Sequence, residues 1–284
     1  MSHKLHRLLG SMWNTPHLIT AAALRPIIEY LQVRNSPNFS FLPDEDSEAM
    51  EKDDDDNQVV INGIGEIKIS GAISYLPVDG VCGPVGSSYT GILDDAEDLI
   101  EAGATTIILT FASPGGAAAH CFTTCEALRE MADEAGVKLV SYIDEQAASA
   151  ALALSVISDE VYIHPSASTG SIGCVVVLID QSKALADAGL KPIYISSTPG
   201  KTPFDDDGSF SKGFLESLQE DVTRLGLQFA EHVSKYTGLA VDDIVAMDAK
   251  MFHAEAALEV GLVNGVMDHK QFTAYIAGMN KGNK

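Results

Sequence analysis

The 284-residue chain is 46% hydrophobic and 20% charged, enough apolar material for one large domain with appendages or two modest domains, and too much for wholesale disorder. Lys and Arg number 18 against 40 Asp and Glu, a net charge of −22. That balance weighs against a sequence-independent grip on nucleic acid or an anionic membrane surface. Cys82, Cys121, Cys125 and Cys174 form no CxxC pair, and the eight histidines do not cluster at ligand spacing. Neither a disulfide framework nor a metal site is expected, and a reducing, cytoplasmic setting is.

Residues 16–33 (PHLITAAALRPIIEYLQV) carry Leu, Ile and Ala at helical spacing, with Pro26 interrupting or restarting a helix. Residues 1–43 are therefore expected to form a small helical appendage. Residues 44–56 (DEDSEAMEKDDDD) hold nine acids and one lysine; such a run repels itself and reads as a flexible, solvated linker. No run in residues 1–13 is apolar enough for a signal peptide, and the most apolar segment, 146–158, is too short to cross a bilayer.

From residue 57 the pattern turns to alternating strands and helices. Strands are expected at 58–61, 66–73, 105–111, 137–143, 160–164, 174–179 and 192–196. Helices are expected at 92–102, 117–135, 147–156 and 181–188. TTIILTF at 105–111 is a near-continuous β-branched run, the mark of a strand covered on both faces. Alternation of this kind implies a mostly parallel sheet flanked by helices. A long amphipathic helix is expected at 210–236, with Phe214, Leu218, Val222, Leu225, Phe229 and Val233 along one stripe facing core or another subunit.

Three strand ends run into small residues. Ser113-Pro114-Gly115-Gly116 can turn sharply and present consecutive N–H groups to an anion or a developing oxyanion, although such a turn is often purely structural. Ser149 follows a strand and opens an alanine-rich helix, either as a reactive hydroxyl at the positive helix end or as a plain N-cap. Gly200-Lys201-Thr202 invites a phosphate-loop reading, but the position five residues before Gly200 is Ile195, not glycine, and Pro199 removes an amide that phosphates would need. The sequence has no GxSxG elbow and no HExxH, and GIGEIK at 63–68 lacks the last glycine of a dinucleotide fingerprint. His164, beside Pro165, reads as structural rather than as a general base.

Together, SPGG at 113–116, AAS at 147–149, TGSIG at 169–173 and Lys201, 52 residues beyond Ser149, resemble the signal peptide peptidase A family of Ser/Lys peptidases. The match spans roughly residues 58–268, and MWNTPHLIT at 12–20 is similar to the phage-encoded prohead, or head-maturation, protease branch. The resemblance implies a Clp-protease/crotonase-like α/β fold of repeated ββα units in residues 57–284. It implies Ser149 as nucleophile, Lys201 as general base, Ser171 as the hydroxyl that orients the lysine, and the amides of Gly116 and Ala150 as oxyanion hole, with no cofactor. Partners would be capsid, scaffold and portal-type proteins, with a homo-oligomeric ring as the working assembly and no nucleic acid or membrane bound. A cellular peptidase of the same family, or a crotonase-type acyl-CoA enzyme on the same fold, are the alternatives. Ala150, Ala151 and Leu152 stand where the family commonly has glycines and aromatics, which alters the adjoining substrate pocket. A lysine base works at neutral pH only when desolvation brings its pKa from about 10.4 to roughly 7–8. Asp205, Asp206 and Asp207 are therefore expected to point to solvent, away from Lys201.

Overall fold

The computed structural model describes residues 15–20, 23, 59–80, 83–84 and 86–279. In chain order the elements are β1 (His17–Ile19), β2 (Ile64–Ser70), a small hairpin of β3 (Asp79–Gly80) and β4 (Gly83–Pro84), α1 (Tyr89–Glu101), β5 (Thr106–Ser113), β6 (Gly115–Ala117), α2 (Cys121–Ala135) and β7 (Lys138–Ala148). There follow α3 (Ala150–Ser155), β8 (Glu160–Ile163), β9 (Ser168–Gly170), α4 (Ser182–Asp187), α5 (Lys212–Thr237), α6 (Val241–Ala246), β10 (Met251–His253), α7 (Ala254–Glu259), β11 (Gly265–Val266) and α8 (His269–Met279). The protein is an α/β structure on a mostly parallel sheet.

β2, β5 and β7 lie side by side in parallel, and their β-branched and apolar residues supply the centre of the core. Ile67, Ile69, Ile107, Leu109, Phe111, Leu139 and Ile143 are essentially sealed from solvent on one face, against Tyr89, Ile92 and Leu99 of α1 and Leu128 of α2. Each such side chain contributes about 1.5–3 kcal/mol through burial. The other face is covered by Phe272 and Ile276 of α8, which pack on Val140, Tyr142 and Tyr162, with Ile108 half-buried beside them. TTIILTF thus has cover on both sides, as its composition requires.

β7 changes partner along its length. Val140–Ile143 pair with β8, whereas Gln146–Ala148 pair with β9. Against β5 the register jumps from Phe111↔Ile143 to Ala112↔Gln146, so Asp144 and Glu145 bulge out of the ladder. Asp144 there meets His269 at 3.3 Å. Beyond the bulge β7 runs straight into α3, all six residues of which are fully buried. A helix enclosed on every side needs small side chains, and AALALS supplies them.

The observed architecture departs from the expected elements in three places. His17–Ile19 form a strand antiparallel to Gly115–Ala117, not part of a helix, although Ala23 is helical; the remainder of the expected 1–43 appendage and the 44–56 run lie outside the described residues. Ile61 makes only an isolated bridge to Ile64, because Asn62 and Gly63 turn the chain at positive φ. Residues 174–179 and 192–196 have strand-like composition but join no sheet. Val175 makes a single bridge to His17, and Ile193 and Ile195 are 81% and 96% exposed.

α5 matches the expected long helix, but only Phe229, Ala230, His232 and Val233, at its C-terminal end, are buried. Phe214, Leu218, Val222 and Leu225 are half-covered, and Leu215 and Leu227 are exposed. Among the described residues no helix is long and apolar enough to cross a membrane.

Candidate active site

β7 ends at Ala148 and α3 begins at Ala150, leaving Ser149 to turn the chain alone. It does so at φ 55°, ψ −116°, a backbone setting that costs a non-glycine residue about 1–3 kcal/mol. Its N–H donates to the Gly170 carbonyl at 2.8 Å. Its Oγ is fully buried and has no hydrogen-bond partner, so the side chain makes no N-cap bond even though it occupies the cap position. A strained, orphaned hydroxyl at the mouth of a buried helix is not a plain cap. An unpaired buried polar group costs about 1–3 kcal/mol, so the fold maintains it at the expense of stability.

Gly115-Gly116 lie directly beside it. Ser113 Oγ donates to the Gly71 carbonyl at 2.7 Å and accepts from the Gly115 N–H at 3.2 Å, which fixes the turn. Gly115 sits at φ 100°, where a methyl group would collide with the Leu18 carbonyl oxygen and lie 2.8 Å from the Ala148 carbonyl oxygen and 3.0 Å from Ser149 Cβ. A methyl on Gly116 would run into the Ile73 carbonyl. The two glycines let the backbones at Leu18, Ile73 and Ala148 close in on the turn beside Ser149. Ala150 is the first residue of α3, so its N–H has no partner within the helix and points toward the helix mouth.

TGSIG comes in from the other side. Thr169 Oγ1 donates to the Ala147 carbonyl at 2.6 Å and locks β9 to the end of β7. Gly170, at φ 132°, faces the Lys250 carbonyl with no room for a side chain. Ser171, buried and at φ 58°, donates its N–H to the same carbonyl at 3.0 Å. The structure thus gathers Gly115, Gly116, Ser149, Ala150, Gly170 and Ser171 around one point at the ends of the parallel strands.

Lys201 is not at that point. It ends a single 3-10 turn, Pro199–Lys201, with its N–H bonded to the Thr198 carbonyl at 3.0 Å, and its side chain is exposed. Within one chain it does not hydrogen-bond Ser149 Oγ. Asp205, Asp206 and Asp207 are exposed as expected, and none forms an ion pair with Lys201. Asp207 instead accepts from the side chain and N–H of Ser209, which hold its carboxyl below the usual range. His164 is occupied locally: Nδ1 lies 2.7 Å from Ser166 Oγ, and the ring packs on His269. Among the described residues, no group of three or more His, Cys, Asp or Glu is placed to hold a metal ion.

Sequence reasoning did not find β1. His17 exchanges backbone hydrogen bonds with Val175 at 2.9 Å on one side, while residues 17–19 pair with 117–115 on the other. The signal available was the short apolar, β-branched HLIT after Pro16, which the helical spacing downstream overshadowed.

The fold places a strained, buried serine between a Gly-Gly strand and a buried helix. The chain belongs to peptidase family S49, whose family model matches residues 131–281, a span that includes Ser149, Ser171 and Lys201. It is 24% identical over 215 residues to the head-tail preconnector protein GP5 of Enterobacteria phage P21, covering 74% of this chain and 42% of that protein. It is 25% identical over 218 residues to the capsid assembly protease C of Escherichia phage lambda, covering 74% and 47%. A weaker similarity, 24% over 194 residues, is to the Na(+)/H(+) antiporter NhaA of Brucella abortus, of which it covers 25%. The chain thus spans less than half the length of the curated relatives it matches.

Proposed function

We propose that the chain is a phage prohead serine endopeptidase that cleaves scaffold and capsid proteins during head maturation. The observation that carries the reading is Ser149 itself, strained, buried and without a partner for its Oγ, in a chain of family S49. The similarity to a capsid assembly protease and a head-tail preconnector protein supports the substrate class.

In the proposed reaction Ser149 Oγ attacks the scissile carbonyl while the neutral amine of Lys201 takes its proton. The Gly116 and Ala150 N–H groups receive the oxyanion, the leaving amine takes the proton back from Lys201, and water then releases the acyl group from Ser149 by the same route. Ser171, next to the residue that holds the Ser149 amide, positions the lysine. Because Lys201 stands off from Ser149 in the single chain, the dyad is completed on assembly. Ile193, Ile195 and the open half of α5, with Leu215 and Leu227, are the apolar surfaces that a homo-oligomeric ring would cover. The Clp-protease/crotonase-like grouping of the fold accords with the strand–helix order and the place of the site at the strand ends.

The test is co-expression with capsid and scaffold proteins, with the fragments read by mass spectrometry. Wild type should yield discrete fragments and Ser149→Ala none; fragments from both would sink the reading.

A further inference from the structure

Two facts about β1 combine. It is bonded along both edges, to Gly115–Ala117 and to Val175, and it is buried: Leu18 has no exposure and His17, Ile19 and Thr20 almost none. The flanking bonds, Thr20 N–H to the Pro114 carbonyl at 3.1 Å and Ala118 N–H to the Pro16 carbonyl at 3.3 Å, set the alternation of the ladder. By that alternation Leu18 and Gly116 are the closely bonded pair, which exchanges N–H and C=O. The Gly116 amide, a proposed oxyanion donor, is therefore already given to the Leu18 carbonyl. That carbonyl oxygen and Ser149 Cβ border the same methyl-sized space at Gly115.

We propose that β1 is an internal plug that gates access to residue 149: an extended segment of this chain lies where a peptide bonded to Gly116 would have to lie, and it must leave before one can enter. The inference rests on the reading of Ser149 and Gly116 given above. Strand addition draws its affinity from main-chain hydrogen bonds, so one extended segment can replace another of unrelated sequence. Among the described residues β1 pairs with β6 and Val175 and with no strand of the parallel sheet, so its departure leaves that sheet's ladder intact. Residues 20–63, including the acidic run, lie between β1 and β2 in sequence.

The experiment reads access to position 149 independently of catalysis. In full-length Ser149→Cys, alkylation by iodoacetamide is followed by mass spectrometry of the peptide containing residue 149. Fragment ions that localise the label to residue 149 separate it from Cys82, Cys121, Cys125 and Cys174; of these Cys121 and Cys125 are buried, and burial pushes the Cys174 thiol up to about 11. Alkylation should be slow, and should accelerate in urea below the main unfolding transition as β1 opens locally. Leu18→Pro, which removes the Leu18 N–H, should speed it at least tenfold, and the synthetic peptide TPHLIT should slow it again. Equal rates with and without Leu18→Pro, together with alkylation that follows only the main transition, would overturn the proposal. Gated alkylation in a protein whose Ser149 form cleaves no capsid or scaffold protein would uphold the plug and remove the peptidase reading.

Discussion

Ser149→Ala separates a functional hydroxyl from a structural one by stability alone. Ser149 Oγ is buried with no partner, so the folded state bears its desolvation without a compensating bond, a cost of about 1–3 kcal/mol. Alanine removes that atom and leaves the backbone strain unchanged. After allowance for the small loss of packing, the variant should be more stable by about 1 kcal/mol, a rise in Tm of about 2–4 °C for a chain of this size. Ser141→Ala is the control. That serine is equally buried, but its Oγ donates to the Ser155 carbonyl at 3.0 Å and lies 2.8 Å from Ser158 Oγ, so its loss should cost about 1–3 kcal/mol. Urea titration of both variants with unchanged m-values is the assay. If Ser149→Ala loses as much as Ser141→Ala, Ser149 Oγ carries a bond in the folded state and the argument from its isolation fails.

Lys201→Ala should abolish cleavage while leaving the urea midpoint of the chain within about 0.5 kcal/mol of wild type, because the side chain is exposed; a large loss of stability would mean that the lysine is structural. Gly116→Ala, whose methyl group would meet the Ile73 carbonyl, should cost about 1–3 kcal/mol and disrupt β6, measured by thermal melting; a neutral result would show that the backbones do not converge as described. His232 is held below its usual pKa by burial, and its ring lies 2.9 Å from the Ala153 carbonyl. Its folded pKa is lower than its unfolded one, so its stabilising effect is whole above about pH 6.5 and is lost as pH falls below that toward the folded value. His232→Gln should flatten that acid limb in urea midpoints taken between about pH 5 and 8; an unchanged slope would assign the acid sensitivity elsewhere.

Sequence periodicity revealed the centre of the fold because burial dictates it there. TTIILTF and KLVSYI have one stable location, between two covering layers, and the observed β5 and β7 are where those residues predict. SPGG, AAS and TGSIG were legible for a related reason: only glycine or a small residue tolerates three backbones converging on Ser149. Residues 174–179 and 192–196 misled for the opposite reason. CVVVLI and PIYIS have strand composition, but a strand needs an edge to pair with, and among the described residues only the single bridge from Val175 to His17 meets them. β1 was hidden because three residues are too few to show a period, and their partner, 115–117, lies about a hundred residues away. Lys201 was named by the family resemblance, which says nothing of where the loop that carries it lies in a single chain.

The two-residue slip in β7 divides that strand into halves with separate neighbours. Its first half answers to β8 and the C-terminal helix, its second to β9 and the turn at Ser149, and the extruded Asp144-Glu145 pair interrupts the ladder between them. Phe272 thus packs on the half of β7 that does not run into Ser149, and a cavity beneath it falls on the other side of the bulge from the serine.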